Sequence, residues 1–310
     1  MANKYITLIG AANIDIQGFS SNPIINRDSN PGKIEFCPGG VSRNIAENLA
    51  RLGIKTELIS AIGNDPNGSL ILESCRNCGI GSDYSLIVPN AVSSVYLAIL
   101  DNTKDMALAL SDMTISDNIN IKFLQSRNEI LKKSSAIVFD TCLAADVMEY
   151  ILDNYSDKPI YVDPVSVGKA KALKPLISKV HTLKMNKLEA EFLSDSNINT
   201  SSDLENTSLW FINKGVKRVF ITLGSDGVFF RNSQTYGNYK PTKANIKNAT
   251  GAGDAFMAGL VYGSLYNYNP EKLVHFASGV SLAALADENT VNPKINFKYI
   301  ENITGEKFND

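Results

Sequence analysis

Residues 248–259 read Asn-Ala-Thr-Gly-Ala-Gly-Asp-Ala-Phe-Met-Ala-Gly. Thr250, Gly251, Ala252 and Gly253 carry little side-chain bulk, and Ala255, Phe256, Leu260 and Val261 follow at helical spacing. A small-residue turn that opens a helix leaves its first N–H groups unpaired at the positive end of the dipole. Such a cradle suits a phosphate or an oxyanion. Asp254 stands at its mouth. An acid there would repel a resting anion, but it suits an enzyme that deprotonates a hydroxyl just before that oxygen meets a phosphoryl group. The plainer alternative is a helix start whose early acid merely complements the dipole.

Outward from this turn, short apolar runs alternate with helical-period segments. The pattern predicts strands at 5–10, 56–62, 136–140, 160–163, 181–185, 219–223 and 228–231. It predicts helices near 41–52, 67–78, 119–132, 143–154, 187–194, 203–214, 253–268 and 270–286. Strand–helix alternation with fully apolar strands implies an α/β fold, a mainly parallel sheet covered on both faces. Ligands of such sheets bind beyond the carboxyl ends of the strands, where Asp140, Asp163, Asn186 and Thr222–Gly224 fall. Two segments break the rhythm. Residues 93–113 read as a hairpin with a polar turn, and 14–35 are extended and turn-rich. The expected organisation is a core of 1–13, 36–92 and 114–310, with 14–35 and 93–113 paired into a small β-sheet lid.

Composition narrows the class. The 310 residues are 44% hydrophobic and 20% charged with a net charge of −2, which predicts a soluble globular protein with no basic face for nucleic acid. No apolar run approaches membrane-spanning length, and the N-terminus lacks a signal-peptide pattern, so the expected location is cytoplasmic. Cys75 and Cys78 form one Cys-x-x-Cys without a second pair or nearby His, read as reduced structural thiols, as are Cys37 and Cys142. The two histidines, His181 and His275, read as core or surface residues, which leaves no Ser-His-Asp machinery.

Four further pieces carry chemistry. Gly39-Gly40 opens a helix with Asn44 in its first turn, where backbone can approach a ligand and the amide can meet a hydroxyl. Asn13 and Asp15, two apart in an extended stretch, share a face and can hold vicinal hydroxyls, or can cap a turn. Asn186 can contact phosphate and Glu189 can hold Mg²⁺ through water; the same spacing is also a capping box. Thr222, Gly224 and Gly227 offer a hydroxyl and a permissive turn near phosphates, or an ordinary hairpin turn.

In this order the motifs resemble the ribokinase-like (PfkB-type) family of sugar and nucleoside kinases, over essentially the whole chain. The resemblance implies a Rossmann-like three-layer α/β/α core with a β-lid and an ATP- and Mg²⁺-dependent phosphotransferase. It implies Asp254 as catalytic base, the amides of Gly251, Ala252 and Gly253 as anion hole, Asn186 and Glu189 for phosphate and Mg²⁺, and Thr222, Gly224 and Gly227 beside the nucleotide. Asp28–Ile34, Gly39–Asn48, Leu100–Thr103, Asp163–Ser166 and His181–Lys184 are similar to the pseudouridine-kinase branch, which implies transfer to the ribose 5′-hydroxyl of free pseudouridine. On that expectation Asp15, Asn44, the Gly40 backbone and Asp140 contact ribose, and Ser29, Asp112, Ser166 and Lys169 are candidates to read the base. A homodimer through the lid edge is a further expectation. Rival readings are a kinase for ribose, fructose or a purine nucleoside, and a non-catalytic nucleoside-binding protein. One departure stands out: many relatives carry Asp where this chain has Asn248, next to a monovalent-cation site, so weak K⁺ activation is expected.

Overall fold

A computed structural model describes residues 4–241 and 246–308; residues 1–3, 242–245 and 309–310 of the expected core lie outside them. The strands are β1 (Tyr5–Ile9), β2 (Asn13–Ser20), β3 (Gly32–Gly39), β4 (Lys55–Ile59), β5 (Ala61–Gly63), β6 (Leu86–Val88), β7 (Val95–Leu100), β8 (Met106–Asp112), β9 (Ala136–Asp140), β10 (Ile160–Asp163), β11 (Thr182–Asn186), β12 (Arg218–Thr222), β13 (Val228–Asn232) and β14 (Tyr236–Tyr239). Eight of them form one sheet in the order β14-β13-β12-β11-β10-β9-β1-β4. Its strands from β12 to β4 pair in parallel, and only the β12–β13 and β13–β14 contacts are antiparallel.

Side chains alternate across this sheet and feed two cores. Val138 and Leu8 pack with the helices Val41–Arg51, Ala252–Leu265 and Pro270–Leu285 on one face; Ile137 and Ile9 pack with Ala145–Asn154, Lys187–Ser194 and Ser201–Lys214 on the other. Both faces of the sheet are buried, which is why its strands read as unbroken apolar runs rather than alternating ones. The result is a three-layer α/β/α fold.

The interrupting segments meet in a second sheet, ordered β3-β2-β7-β8. Its hairpins are β2–β3 and β7–β8, joined by a parallel β2–β7 contact. The register sets Asp15, Tyr96 and Ser111 side by side on one face, and Phe36, Ile16, Leu97 and Leu110 on the other.

Some elements differ from expectation. The helix expected over 119–132 is split into Ile121–Ser126 and Asn128–Lys133. At the break the Ser126 hydroxyl donates to the Phe123 carbonyl and Arg127 N tightens onto Leu124 O, a local competition with the helix ladder. The helix expected to reach 268 stops at Leu265, and Asn267 takes a positive φ of 55°. Strand β14 and helix Phe297–Thr304 were not among the expected elements. No described helix is long and apolar enough to cross a membrane. All four cysteines are free thiols, and burial pushes those of Cys37 and Cys75 up to about 11.

Candidate active site

The small-residue turn folds as its composition dictates. Gly251 caps the helix Ala252–Leu265 at φ 81°, and an added Cβ would lie 2.1 Å from Thr290 O, so only glycine fits. No side chain caps this helix, and its first intrahelical bond runs from Ala255 N to Gly251 O at 2.9 Å. The preceding N–H groups, of Ala252, Gly253 and Asp254, are left to serve a ligand. Asp254 is 9% exposed. Its Oδ2 accepts from Asn44 Nδ2 at 2.9 Å. Burial first, then the neighbouring Asp163, pushes the Asp254 carboxyl up to about 7, against the lowering pull of Lys184 and Asn44.

Asn44 is itself fixed. Arg43 Nη1 donates to Asn44 Oδ1 at 2.9 Å, which leaves the amide nitrogen to face Asp254, and Arg43 Nη2 pairs with Glu47 and reaches Ser74 Oγ at 2.9 Å. Gly40, at φ 101°, starts this helix where a Cβ would lie 2.4 Å from Ala11 O. From β2, Asn13 Nδ2 donates to Asp15 Oδ1 at 2.6 Å, and burial raises the Asp15 carboxyl above its ordinary range.

These groups line one cavity of about 600 Å³ between the carboxyl ends of the main sheet and the inner face of the small one. Of the expected substrate and base residues, Asn13, Asp15, Gly40, Asn44, Ser166, Lys169, Gly251 and Asp254 border it. Gln17, Tyr96, Ser111, Cys142 and Thr250 border it as well, and the sequence reading missed them. Gln17 was accessible by the same alternation that paired Asn13 with Asp15; Tyr96 and Ser111 needed the register. Val165 borders it with an unusual backbone: φ is 63°, and Ser166 N closes on Pro164 O at 2.6 Å.

Four expected contacts are corrected. Asp140 is fully buried, and its carboxylate is taken up by Ala11 N at 2.8 Å, Ser42 N at 3.1 Å, Ser42 Oγ at 2.6 Å and Cys142 N at 2.9 Å. It staples the helix carrying Asn44 to the sheet rather than facing ribose. Asp112 follows Ser111 on β8 and so points to the opposite face, where it caps Thr114. Ser29 lies exposed in the β2–β3 connection, apart from the cavity wall. Gly39 is a spacer, since a Cβ there would stand 2.3 Å from Asp15 Oδ2.

A second cavity, of about 740 Å³, opens beyond β11 and β12 and is bordered by Asn186, Thr222 and Gly224 together with Leu188, Ile198, Asn199, Leu204 and Asn238. Asn186 and Glu189 complete a capping box: Asn186 Oδ1 accepts from Glu189 N at 2.9 Å and Glu189 Oε2 accepts from Asn186 N at 2.8 Å. Glu189 is 3% exposed, and burial first, then Asp163, raises its carboxyl. The Oε2 atom is spent on the cap, so what remains for a cation is Oε1. No group of three His, Cys, Asp or Glu side chains that could hold a metal ion occurs among the described residues. Gly227 is another correction. It lies outside this cavity, at φ 93° in the β12–β13 turn, with Tyr239 O 2.1 Å from where a Cβ would be.

A mainly parallel sheet, an uncapped glycine-opened helix and the raised Asp254 carboxyl at its mouth suit a phosphotransferase with an alcohol acceptor. Residues 3–296 match the pfkB family of carbohydrate kinases, and the chain belongs to it. Pseudouridine kinase of Escherichia coli (strain K12) is 41% identical over 292 residues, covering 94% of this chain and 93% of that protein. Among solved structures, a putative sugar kinase from Clostridium perfringens superposes with a TM-score of 0.86 at 37% identity, covering 97% of this chain and 95% of that one. An Arabidopsis thaliana ribokinase complexed with ribose and ATP superposes with a TM-score of 0.85 at 18% identity, covering 98% and 99%, a likeness of fold.

Proposed function

We propose that this chain transfers the γ-phosphoryl group of ATP to the ribose 5′-hydroxyl of pseudouridine, giving pseudouridine 5′-phosphate. The observation that carries the reading is the raised carboxyl of Asp254 at the mouth of an uncapped helix N-terminus, inside a cavity of nucleoside size. The 41% identity to the Escherichia coli pseudouridine kinase favours that nucleoside over ribose, fructose or a purine nucleoside.

In this reading the ribose lies on Asn13, Asp15 and Asn44, and the base meets Ser166 and Lys169. Asp254 takes the 5′-hydroxyl proton as the oxygen attacks phosphorus, and the amides of 251–253 receive the charge on the transferring group. ATP occupies the cavity beyond β11 and β12, against Asn186, Thr222 and Gly224. Glu189 Oε1 would hold Mg²⁺ through water, and that ion would supply charge to neutralise the phosphates. The small sheet acts as a lid that keeps water from the reacting phosphoryl group. Its outer apolar face supports a homodimer formed lid to lid.

An ADP-release assay across pseudouridine, uridine, adenosine, ribose and fructose tests the assignment. A kcat/KM for pseudouridine at least tenfold above every other acceptor is expected. Preference for ribose or a purine nucleoside would reject the substrate and keep the family, and tight nucleoside binding without ADP release would reject the kinase reading.

A further inference from the structure

Two charged groups beneath the anion cradle, Lys184 and Asp163, have no role in the reaction as assigned so far. Lys184 lies in the buried part of β11, and Asp163 ends β10 beside it. Their side chains are nearly sealed from solvent, and Lys184 Nζ donates to Asp163 Oδ2 at 2.8 Å. An ideal Cβ on Gly253 would stand 2.7 Å from Lys184 Nζ, so the ammonium lies directly against the first turn of the catalytic helix. Among the described residues that single hydrogen bond is the only one Lys184 Nζ makes, and two of its N–H groups remain. Asp163 is the bridging member: its Oδ1 accepts from Val165 N at 2.9 Å, in the turn that borders the substrate cavity.

The charge balance around this point is one-sided. Facing Asp254 are Asp163 from β10 and Asp140 from β9, with Lys184 from β11 as the cation. Glu189, from the helix after β11, faces Lys184 and Asp163. Three carboxyl groups, those of Asp163, Glu189 and Asp254, therefore share one ammonium, and Asp140 adds a further negative charge facing Asp254. Burial opposes the charge of Lys184, yet Asp163 and then Glu189 hold it above the ordinary lysine range, so it stays protonated. An enzyme that needs an ionised base at neutral pH cannot lose that cation without taking up a proton.

We propose that Lys184, anchored by Asp163 beneath Gly253, is a positioning residue that serves as the buried counter-ion of Asp254 and sets the pH range over which that base works. This rests on the reading of Asp254 as base. Lys184 acts on substrate only through the acid it keeps ionised, and Asp163 fixes where the ammonium stands.

The test is the pH profile of kcat/KM in three variants. Lys184→Met should move the acid limb up by about one unit, roughly tenfold less kcat/KM at pH 6. Asp163→Asn should move it down, because a repelling charge goes and the ammonium is freed toward Asp254. Lys184→Arg should restore the wild-type limb. The double variant Lys184→Met/Asp163→Asn removes both members of the ion pair at once and leaves neither of them without the other, so it keeps the test alive if the single lysine variant does not fold; its limb should lie between those of the two single variants. A limb unmoved by all of these changes, with only kcat reduced, overturns the counter-ion role and leaves Lys184 as packing. The two readings separate on Asp254→Ala: if that variant retains near-normal turnover the base itself is wrong, whereas an inactive Asp254→Ala beside an unmoved limb in the lysine variants rejects only the counter-ion.

Discussion

As the proposed base, Asp254 combines two demands that conflict. A base must be ionised to accept a proton, yet burial and Asp163 favour its neutral form and raise its carboxyl to about 7. The expected consequence for catalysis is an acid limb near pH 7 and a turnover at least a hundredfold lower in Asp254→Ala, with nucleoside affinity little changed. The consequence for stability has a definite sign. A carboxyl whose folded pKa lies above its unfolded value costs stability as pH rises from the ordinary carboxyl value of 3.8 through about 7, and the cost is complete above that. Asp254→Asn should therefore melt several degrees higher than wild type at pH 8 and close to wild type at pH 4, by calorimetry; equal melting shifts at both pH values would contradict a raised carboxyl. Val165 shows the other kind of conflict. A β-branched residue at φ 63° is strained by about 1–3 kcal/mol, and it borders the substrate cavity. Replacing it by glycine should leave melting temperature nearly unchanged, since relieved strain offsets the added freedom of the unfolded chain. Nucleoside KM should rise about fivefold through the lost wall contact, worth roughly 1 kcal/mol. A KM that stays put would show that the strained turn is incidental.

At the scale of elements, the catalytic helix was legible because small residues, an acid and an apolar stripe sit in one uninterrupted run. Its cap makes a prediction: Gly251→Ala adds a Cβ at φ 81° against Thr290 O, which should displace the N–H cradle and lower turnover at least tenfold while also lowering the melting temperature. The parallel strands were legible for the same reason, since burial on both faces leaves apolar runs with no polar interruption. Asp140 was misjudged because its place at the end of β9 follows from the strand, whereas its partners Ala11 and Ser42 come from segments far away in sequence. Asp112 and Ser29 were misjudged because a strand end and a loop do not declare which way they face before the register is known. Glu189 and Asn186 kept both readings, for the capping box forms and yet leaves Oε1 unspent. Asn248 illustrates how a single amide changes a junction. Its Nδ2 donates to Glu288 O at 2.9 Å and its Oδ1 accepts from Thr250 N at 2.9 Å, ties of which a carboxylate could make only the second. A carbonyl engaged by an N–H is poorly available to a cation, so exchanging KCl for tetramethylammonium chloride should change kcat less than twofold. A strong K⁺ requirement would show that the substitution leaves the cation site intact.

At the scale of the whole molecule, the small sheet has one face turned to the cavity and one that the helix Pro66–Cys78 meets only at the Ile14 end. Ile34 and Phe36 on β3 and Leu108 and Leu110 on β8 are 59–64% exposed, and the register joins them through Ile16, Leu97 and Ile99 into one apolar surface. A continuous apolar surface of this kind on a charged, water-exposed protein marks an interface. Two geometries could cover it: face-to-face packing of two such sheets, or pairing through the open edges of β3 and β8. They differ in what they ask of side chains. Edge pairing uses backbone groups and tolerates a change at 108 and 110, whereas face packing buries those two leucines and does not tolerate charge there. Sedimentation of the wild-type chain should therefore give a species of twice 33.7 kDa, and Leu108→Glu/Leu110→Glu should sediment as a monomer. Because the inner face of the same strands carries Tyr96 and Ser111, the monomeric variant should also lose nucleoside affinity more than it loses turnover at saturating nucleoside. A variant that still dimerises would place the contact at the edges, and a wild-type chain that sediments as a monomer at tens of micromolar would leave this face to some other partner.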